Sequence, residues 1–238
     1  MRIVALAVLS IWVSACAPAE DEPQGSEEPS DYEVDADDGK GDGVSATFNQ
    51  HEVVRDEVFI DRGNMSVAEV QEFLEQTPYN NRSWLADYSV NGVSAAQFIV
   101  DAATAEGIHP LMLLVRMQVE ASIVSKTARS SQSRIDKALG CGCPDGGGCA
   151  SSYRGFAKQL VCGAKILRKW YDGSIDGSGQ WRKGSSRRTL DPRTITPTNH
   201  ATASLYAYTP WVLVGSGGNW LVWNVARDRK STRLNSSH

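Results

Sequence analysis

The 238-residue chain has no apolar run of the ~18 residues that a membrane-crossing helix needs. That argues against a polytopic membrane protein. Histidine is scarce, with four in all, and no motif around His51, His109 or His200 would place it beside a thiol, so a cysteine nucleophile is not expected. Metal patterns are missing as well. The spacing C-x-C-x5-C-x12-C through Cys141, Cys143, Cys149 and Cys162 fits no usual zinc site. An EF-hand loop starting at Asp35 would need Gly and Glu where Lys40 and Ala46 stand. Neither a metal nor a cofactor is expected. There is no internal repeat and no recognisable nucleic-acid module, and the composition argues against collagen, coiled coil and disorder throughout.

Bases are nearly absent from the first part of the chain, and this makes the formal charge of −4 a sum over unlike parts. Residues 20–43 hold eleven acids against Lys40 alone, a net of −10, whereas 44–227 carry 19 bases and 16 acids. The positive charge lies late: 121–227 hold fifteen bases against five acids. Ahead of the acidic stretch, Met1-Arg2 and the apolar run 3–13 have the form of a signal peptide, too short to span a bilayer. The run ends Val13-Ser-Ala-Cys16, which resembles a bacterial lipobox, in which the cysteine is lipidated and becomes the first residue of the mature chain. An ordinary small-residue cleavage site beside an incidental cysteine is the alternative. Ala17 is not the Asp that often retains lipoproteins in the inner membrane, so outer-membrane or periplasmic placement is the second expectation. Either way the body is exported into oxidising conditions. Residues 16–46, rich in Glu, Asp, Gly, Ser and Pro, have little to bury and read as an acidic disordered tether. At the far end, 231–238 resemble translated sequencing-adapter read-through, so 228–238 are set aside as a non-native tail.

The remaining 47–227 reads as one mainly helical domain. Ser66-Val-Ala-Glu69 is a capping box opening a helix that stops near Thr77-Pro78, with Val67, Val70, Phe73 and Leu74 on one face. Ser94-Ala-Ala-Gln97 is a second box, and its helix, with Ala95, Phe98, Ile99, Ala102 and Ala103 on one face, ends at Gly107. Pro110 suits a first turn, and 111–124 is apolar almost all round, which predicts a central buried helix. Further helices are expected near 131–139, 152–171, 200–206 and 217–227. A Cys/Gly loop at 140–150 and a long Gly/Ser/Arg/Thr stretch at 172–199 make the C-terminal half loop-rich. A connection as long as the second is functional or hides a short β element.

Glu120 is the informative residue. It ends the central helix, and its wheel neighbours Leu113, Arg116, Met117, Ile123 and Val124 are mostly apolar. A carboxyl in such a setting is a candidate general acid. The plainer reading is an i,i+4 ion pair with Arg116 on a half-exposed face. The surrounding string Gly107-Ile-His-Pro110 through Glu120-Ala-Ser122 resembles the lysozyme-like cell-wall glycosidases, including soluble lytic transglycosylases, in which such a turn opens a helix ending in the catalytic Glu. A narrower group of secreted bacterial members is closer still. It matches Leu139-Gly-Cys-Gly-Cys143-Pro-Asp145 with Cys149, then Tyr153-Arg-Gly-Phe156, then Ala201-Thr-Ala-Ser-Leu-Tyr206-Ala-Tyr208-Thr-Pro210, in that order. Phe48-Asn-Gln-His51 and 65–85 also resemble the leading part of some of these proteins. The resemblance implies a lysozyme-like helical domain that cleaves the β-1,4 bond between N-acetylmuramic acid and N-acetylglucosamine in peptidoglycan.

In that reading Glu120 protonates the glycosidic oxygen, and Ser122 matches a family serine that bonds the acid or the sugar. Many lytic transglycosylases carry Ser directly after the Glu, where this chain has Ala121. Hydrolysis needs a second carboxylate, for which Asp136, Asp145, Asp172, Asp176 and Asp191 are candidates, none singled out by spacing. A lytic transglycosylase avoids the need, because the substrate's own C6 hydroxyl attacks, and the expectation leans that way. Tyr153, Phe156, Tyr206, Tyr208 and Trp211 are candidates to line a glycan cleft, with a core role the alternative for Phe156 and Tyr206. Trp181, in the long basic loop, is expected to be an exposed stacker. The basic half is expected to attract anionic wall polymer.

With Cys16 lipidated, four cysteines remain, an even number that implies two disulfides with three pairings open. The resemblance implies Cys143–Cys149, which leaves Cys141–Cys162. The expected partners are peptidoglycan strands and, through Cys16, a membrane; a monomer is expected, and nucleic acid is not. Two other function classes stay open: an inactive relative that binds wall glycan, and a surface adhesion module, since relatives in the narrower group are sometimes labelled haemagglutinins.

Overall fold

A computed structural model describes residues 44–235 except 46, 61–64 and 145–147. The leader, Cys16, the tether up to residue 43 and Asp145 lie outside the described residues. Chain order begins with a single helical turn, α1 (Asp56–Phe59), and then α2 (Val67–Glu75). The Ser66 hydroxyl accepts from the Glu69 amide at 3.2 Å, and the Glu69 carboxylate accepts from the Ser66 amide at 2.8 Å, closing the box read from the sequence. A 3-10 turn (Trp84–Asp87) and a two-stranded hairpin, β1 (Ser89–Val90) and β2 (Val93–Ser94), lead into α3 (Ala95–Glu106). Here only half of the second expected box forms. Ser94 accepts from the Gln97 amide, but the Gln97 side chain turns along the helix to Asp101 at 2.7 Å.

Gly107 ends α3 in the left-handed region (φ 60), which a glycine occupies at no steric cost. The chain bends by 115° into α4 (Pro110–Ala121). Pro110 takes the first helical position, where its missing N–H costs nothing, and the His109 ring accepts from the Leu111 amide at 3.1 Å as the cap. Every residue from 110 to 118 is buried, as a helix apolar on all sides must be. The helix is shorter than expected because Ser122 adopts φ 48, leaving 122–124 outside it. The Arg134 guanidinium then donates to the Ala121 carbonyl at 3.1 Å, a cation where the helix dipole is negative.

The C-terminal half holds α5 (Gln132–Ile135), α6 (Phe156–Asp176), the hairpin β3 (Arg187–Arg188) with β4 (Thr194–Ile195), α7 (His200–Tyr208) and α8 (Gly218–Asn235). The short β element expected in 172–199 is this hairpin, in register Arg187 to Ile195 and Arg188 to Thr194. Helix α8 runs on through 228–235, residues that were set aside as a tail. Helix α3 packs on α2, α4 and α6, and α8 covers α4, while α7 lies along α6. The fold is thus mainly α, with one core running from Val53 to Ala226. Among the described residues no single helix is long and apolar enough to cross a membrane; the apolar but bent α3–α4 pair is the centre of that core.

Two disulfides form, Cys141–Cys162 and Cys143–Cys149, and disulfides of this type belong to an oxidising compartment. They span 21 and 6 residues of chain respectively. Loop-closure entropy therefore favours the longer, at roughly 3 against 2 kcal/mol. In thermal melts the paired substitution of Cys141 and Cys162 by Ala is expected to cost more than that of Cys143 and Cys149. The reverse order would show that the short loop is the one stabilising the 140–150 segment.

Candidate functional site

The C-terminal turn of α4 carries Glu120, whose side chain keeps 14% of its surface exposed at the end of an otherwise buried helix. One turn back, Arg116 is fully buried. Its Nη2 donates to Glu120 Oε1 and also to the hydroxyl of Thr209, which leaves the end of α7. The Thr209 hydroxyl in turn donates to the same Oε1 at 3.2 Å. Both donors converge on Oε1, and Oε2 has no hydrogen bond from the described residues. The i,i+4 ion pair expected as the plainer reading is therefore made, but inside the protein and not on a half-exposed face.

Above the guanidinium lies the Tyr208 ring, 4.3 Å from Cζ to the ring centroid. The Tyr208 hydroxyl donates to the Leu139 carbonyl at 2.6 Å. Arg116 Nε and Nη1 are buried without a hydrogen-bond partner among the described residues, as is Asn219 Oδ1 on α8. Asn219 Nδ2 donates to the carbonyls of Thr209 and Trp211 at 2.8 and 3.1 Å. Thr209 is consequently gripped on both sides, by its hydroxyl and by its carbonyl.

Local contacts fix the turn after the acid. Gln118 Oε1 accepts from the Ser125 amide, and its Nε2 donates to the Ser125 hydroxyl, each at 3.0 Å. The Trp84 indole donates to the Ile123 carbonyl at 3.1 Å. Ser122 caps the helix through its amide to the Gln118 carbonyl, and its hydroxyl has no hydrogen-bond partner among the described residues. A Glu120–Ser122 hydrogen bond is not made.

The aromatic candidates separate. Tyr208 sits at the site through Arg116, and half-buried Trp211 is two residues beyond Thr209. Tyr153 is 40% exposed, with its ring held against Gly142, a positive-φ position (φ 68) where a side chain would meet the ring. Phe156 is core, edge-on to Tyr88 and Phe98. Tyr206 is fully buried, donates to the Gln50 carbonyl, and has its hydroxyl pKa pushed up by burial. Trp181 corrects the expectation of an exposed stacker: it is 4% exposed and stacks on Tyr206 at 5.0 Å. The reason is the main-chain bond from the Gly179 amide to the Gly173 carbonyl, which folds the basic loop back onto α6 and carries the indole inward. No hydrogen bond or ring contact joins Tyr153, Phe156, Trp181 or Tyr206 to Glu120.

The four described carboxylates proposed as partners are all engaged elsewhere. Asp136 accepts from Gln132, Asp172 pairs with Arg168, and Asp176 accepts from the Ser178 amide. Asp191 accepts from the Val212 and Leu213 amides at 3.0 and 2.9 Å. Burial pushes the Asp191 carboxyl up, but the bonds from Leu213, Val212 and Thr189 outweigh it and hold the carboxyl below its ordinary value of 3.8. A depressed carboxylate contributes stability above its unfolded value and loses it as pH falls through its folded one. Asp191→Asn should therefore melt below wild type at pH 6, with the gap closing below pH 3.8. A gap independent of pH in paired melts would mean that the charge of Asp191 does not hold this clamp.

Thr209, Asn219 and Gln159 were not singled out in the sequence. Gln159 is a buried hub: its Oε1 accepts from the Leu139 and Cys141 amides, and its Nε2 donates to the Cys141 and Tyr153 carbonyls. Thr209 stands inside the last of the four resembling blocks, which was the available signal. A lone Gln or Asn on a helix carries no comparable one. Comparison with protein-family models, with curated proteins and with solved structures finds no match to this chain.

Proposed function

We propose that the protein is an exported peptidoglycan-cleaving glycosidase acting on the β-1,4 bond between N-acetylmuramic acid and N-acetylglucosamine, with Glu120 as general acid and base in a lytic-transglycosylase manner. The observation that carries this reading is the asymmetry of the carboxylate. Oε1 is fixed by Arg116 and Thr209, while Oε2 has no hydrogen bond from the described residues, on a side chain that still reaches solvent. An anchored carboxyl with one unengaged oxygen is what proton transfer to a glycosidic oxygen requires. The four sequence blocks also interlock around it. Glu120 meets Thr209, Tyr208 meets Leu139, and the Cys141 and Tyr153 carbonyls share Gln159. The engagement of Asp136, Asp172, Asp176 and Asp191 elsewhere favours internal attack by the C6 hydroxyl over water activated by a second carboxylate. In this reading Cys16 carries the lipid that holds the domain at the cell envelope, on the outer membrane or in the periplasm, and glycan strands are the partner.

One observation favours the second reading, an inactive glycan-binding or adhesion module: the cation already seated on the carboxylate. Digestion of purified peptidoglycan decides between them. Anhydromuropeptides from wild type, absent with the Glu120→Gln protein assayed well below its melting temperature, support the transglycosylase; reducing-end products indicate a hydrolase. Wild type that sediments with peptidoglycan and releases nothing would leave the binder.

A further inference from the structure

The tip of the β3–β4 hairpin and the turn that follows α7 are tied together by main chain. The Leu190 amide donates to the Pro210 carbonyl at 2.8 Å, and Asp191 receives the Val212 and Leu213 amides. This places three aliphatic side chains on neighbouring loops in water: Leu190 at 53% exposure, Leu213 at 37% and Val214 at 52%. Leu213 has φ 47, a conformation that a bulky L-residue rarely adopts and that only its surroundings can impose. The β3–β4 hairpin itself carries the exposed cations Arg188 and Arg193. Arg188 has no ion-pair partner among the described residues, and Arg193 lies 3.8 Å from Asp191.

We propose that residues 188–193 and 211–217 form an interfacial attachment site for an anionic lipid bilayer, separate from any anchor at Cys16. Exposed aliphatic side chains held in place by a strained, clamped turn gain free energy only where they enter an apolar phase. The cations alongside supply the attraction to anionic headgroups. A soluble anionic polymer would match the charge but give Leu190, Leu213 and Val214 nothing to enter. A glycan strand would call for an exposed aromatic platform; Trp181 is buried and Trp211 only half-exposed, whereas Leu190 and Val214 stand more than half in water.

Hydrogen exchange of the full chain tests this, with vesicles of phosphatidylglycerol and phosphatidylcholine, vesicles of phosphatidylcholine alone, and soluble polyglutamate. Slowed exchange at 188–193 and 211–217 is expected with the anionic vesicles only. A contact made by the leader would be unchanged by substitution of Arg188 or Leu213, so the two variants separate it from the loops. Arg188→Ser should reduce the slowing about fivefold. Leu213→Asn keeps folding and attachment distinguishable, since asparagine suits positive φ: its melting temperature should equal or exceed that of wild type while the slowing is lost. Equal slowing by polyglutamate would assign the surface to a polymer and overturn the proposal. Unslowed exchange with anionic vesicles, or Leu213→Asn protein protected like wild type, would overturn it as well.

Discussion

Glu120→Gln is expected to melt roughly 10 °C below wild type, a loss of about 3–5 kcal/mol. The amide keeps an acceptor oxygen for Arg116 and Thr209 but carries no charge. Arg116, fully buried, then retains the Tyr208 ring and neutral acceptors against a charge that Glu120 alone balances among the described residues. Its Nε and Nη1 already lack partners among the described residues, so no slack remains to absorb the loss. The sign is the informative part. Functional acids are commonly held at some cost in stability, and neutralising one often stabilises the fold. Replacing both members of a buried pair by groups of similar volume is often neutral or stabilising, so Arg116→Met combined with Glu120→Gln should recover most of the loss. Calorimetric melts of the two variants read both effects. A Glu120→Gln protein as stable as wild type would show that the charge of Arg116 is satisfied without the acid. The double variant also isolates the chemistry: if Glu120 is the general acid, the refolded site should remain slower by roughly 10²–10⁴-fold.

Helix α4 and its flanking elements were legible in the sequence because their signals are local. A capping box at Ser66, a proline at a first turn, Gly107 at a helix end and an apolar run each act within a few residues. The β1–β2 hairpin and the short turns α1 and Trp84–Asp87 were not, since two to four residues carry too little periodicity to register, and the β3–β4 hairpin was legible only as a short β element within a long connection. The candidate site divides in the same way. Glu120 and Arg116 share one helix, so their pairing follows from spacing, but the depth at which they pair depends on α8 covering α4, a contact between segments a hundred residues apart. Thr209 reaches the acid across 89 residues, and its place in the last resembling block marks the segment but not the contact. The disulfide pairing rested on resemblance for the same reason, since four cysteines permit three arrangements and only the fold selects among them.

Trp181→Ala is expected to cost about 3–5 kcal/mol, the loss typical of truncating a large buried aromatic side chain. A glycine-, serine- and arginine-rich loop reads as solvated, and an indole within it reads as a surface for a sugar. The chain instead returns to α6 through the Gly179–Gly173 bond, and Lys183 continues the return with its amide on the Ser174 hydroxyl at 3.0 Å. The indole closes over Tyr206, which is itself bonded to Gln50, so one ring holds together the basic loop, α7 and the segment that enters the domain. Removing it leaves a cavity next to a buried phenol. The damage should therefore appear in melting temperature, and binding of peptidoglycan per folded molecule should be unchanged. A surface stacker would give the opposite pattern: ordinary melting with a drop in affinity of about 1–3 kcal/mol per stacked ring, by analogy with aromatic stacking platforms. Co-sedimentation with peptidoglycan, measured on the fraction that circular dichroism shows to be folded, separates the two. Trp181→Phe, which keeps a ring against Tyr206, should lie between wild type and Trp181→Ala in stability, because part of the cavity stays filled.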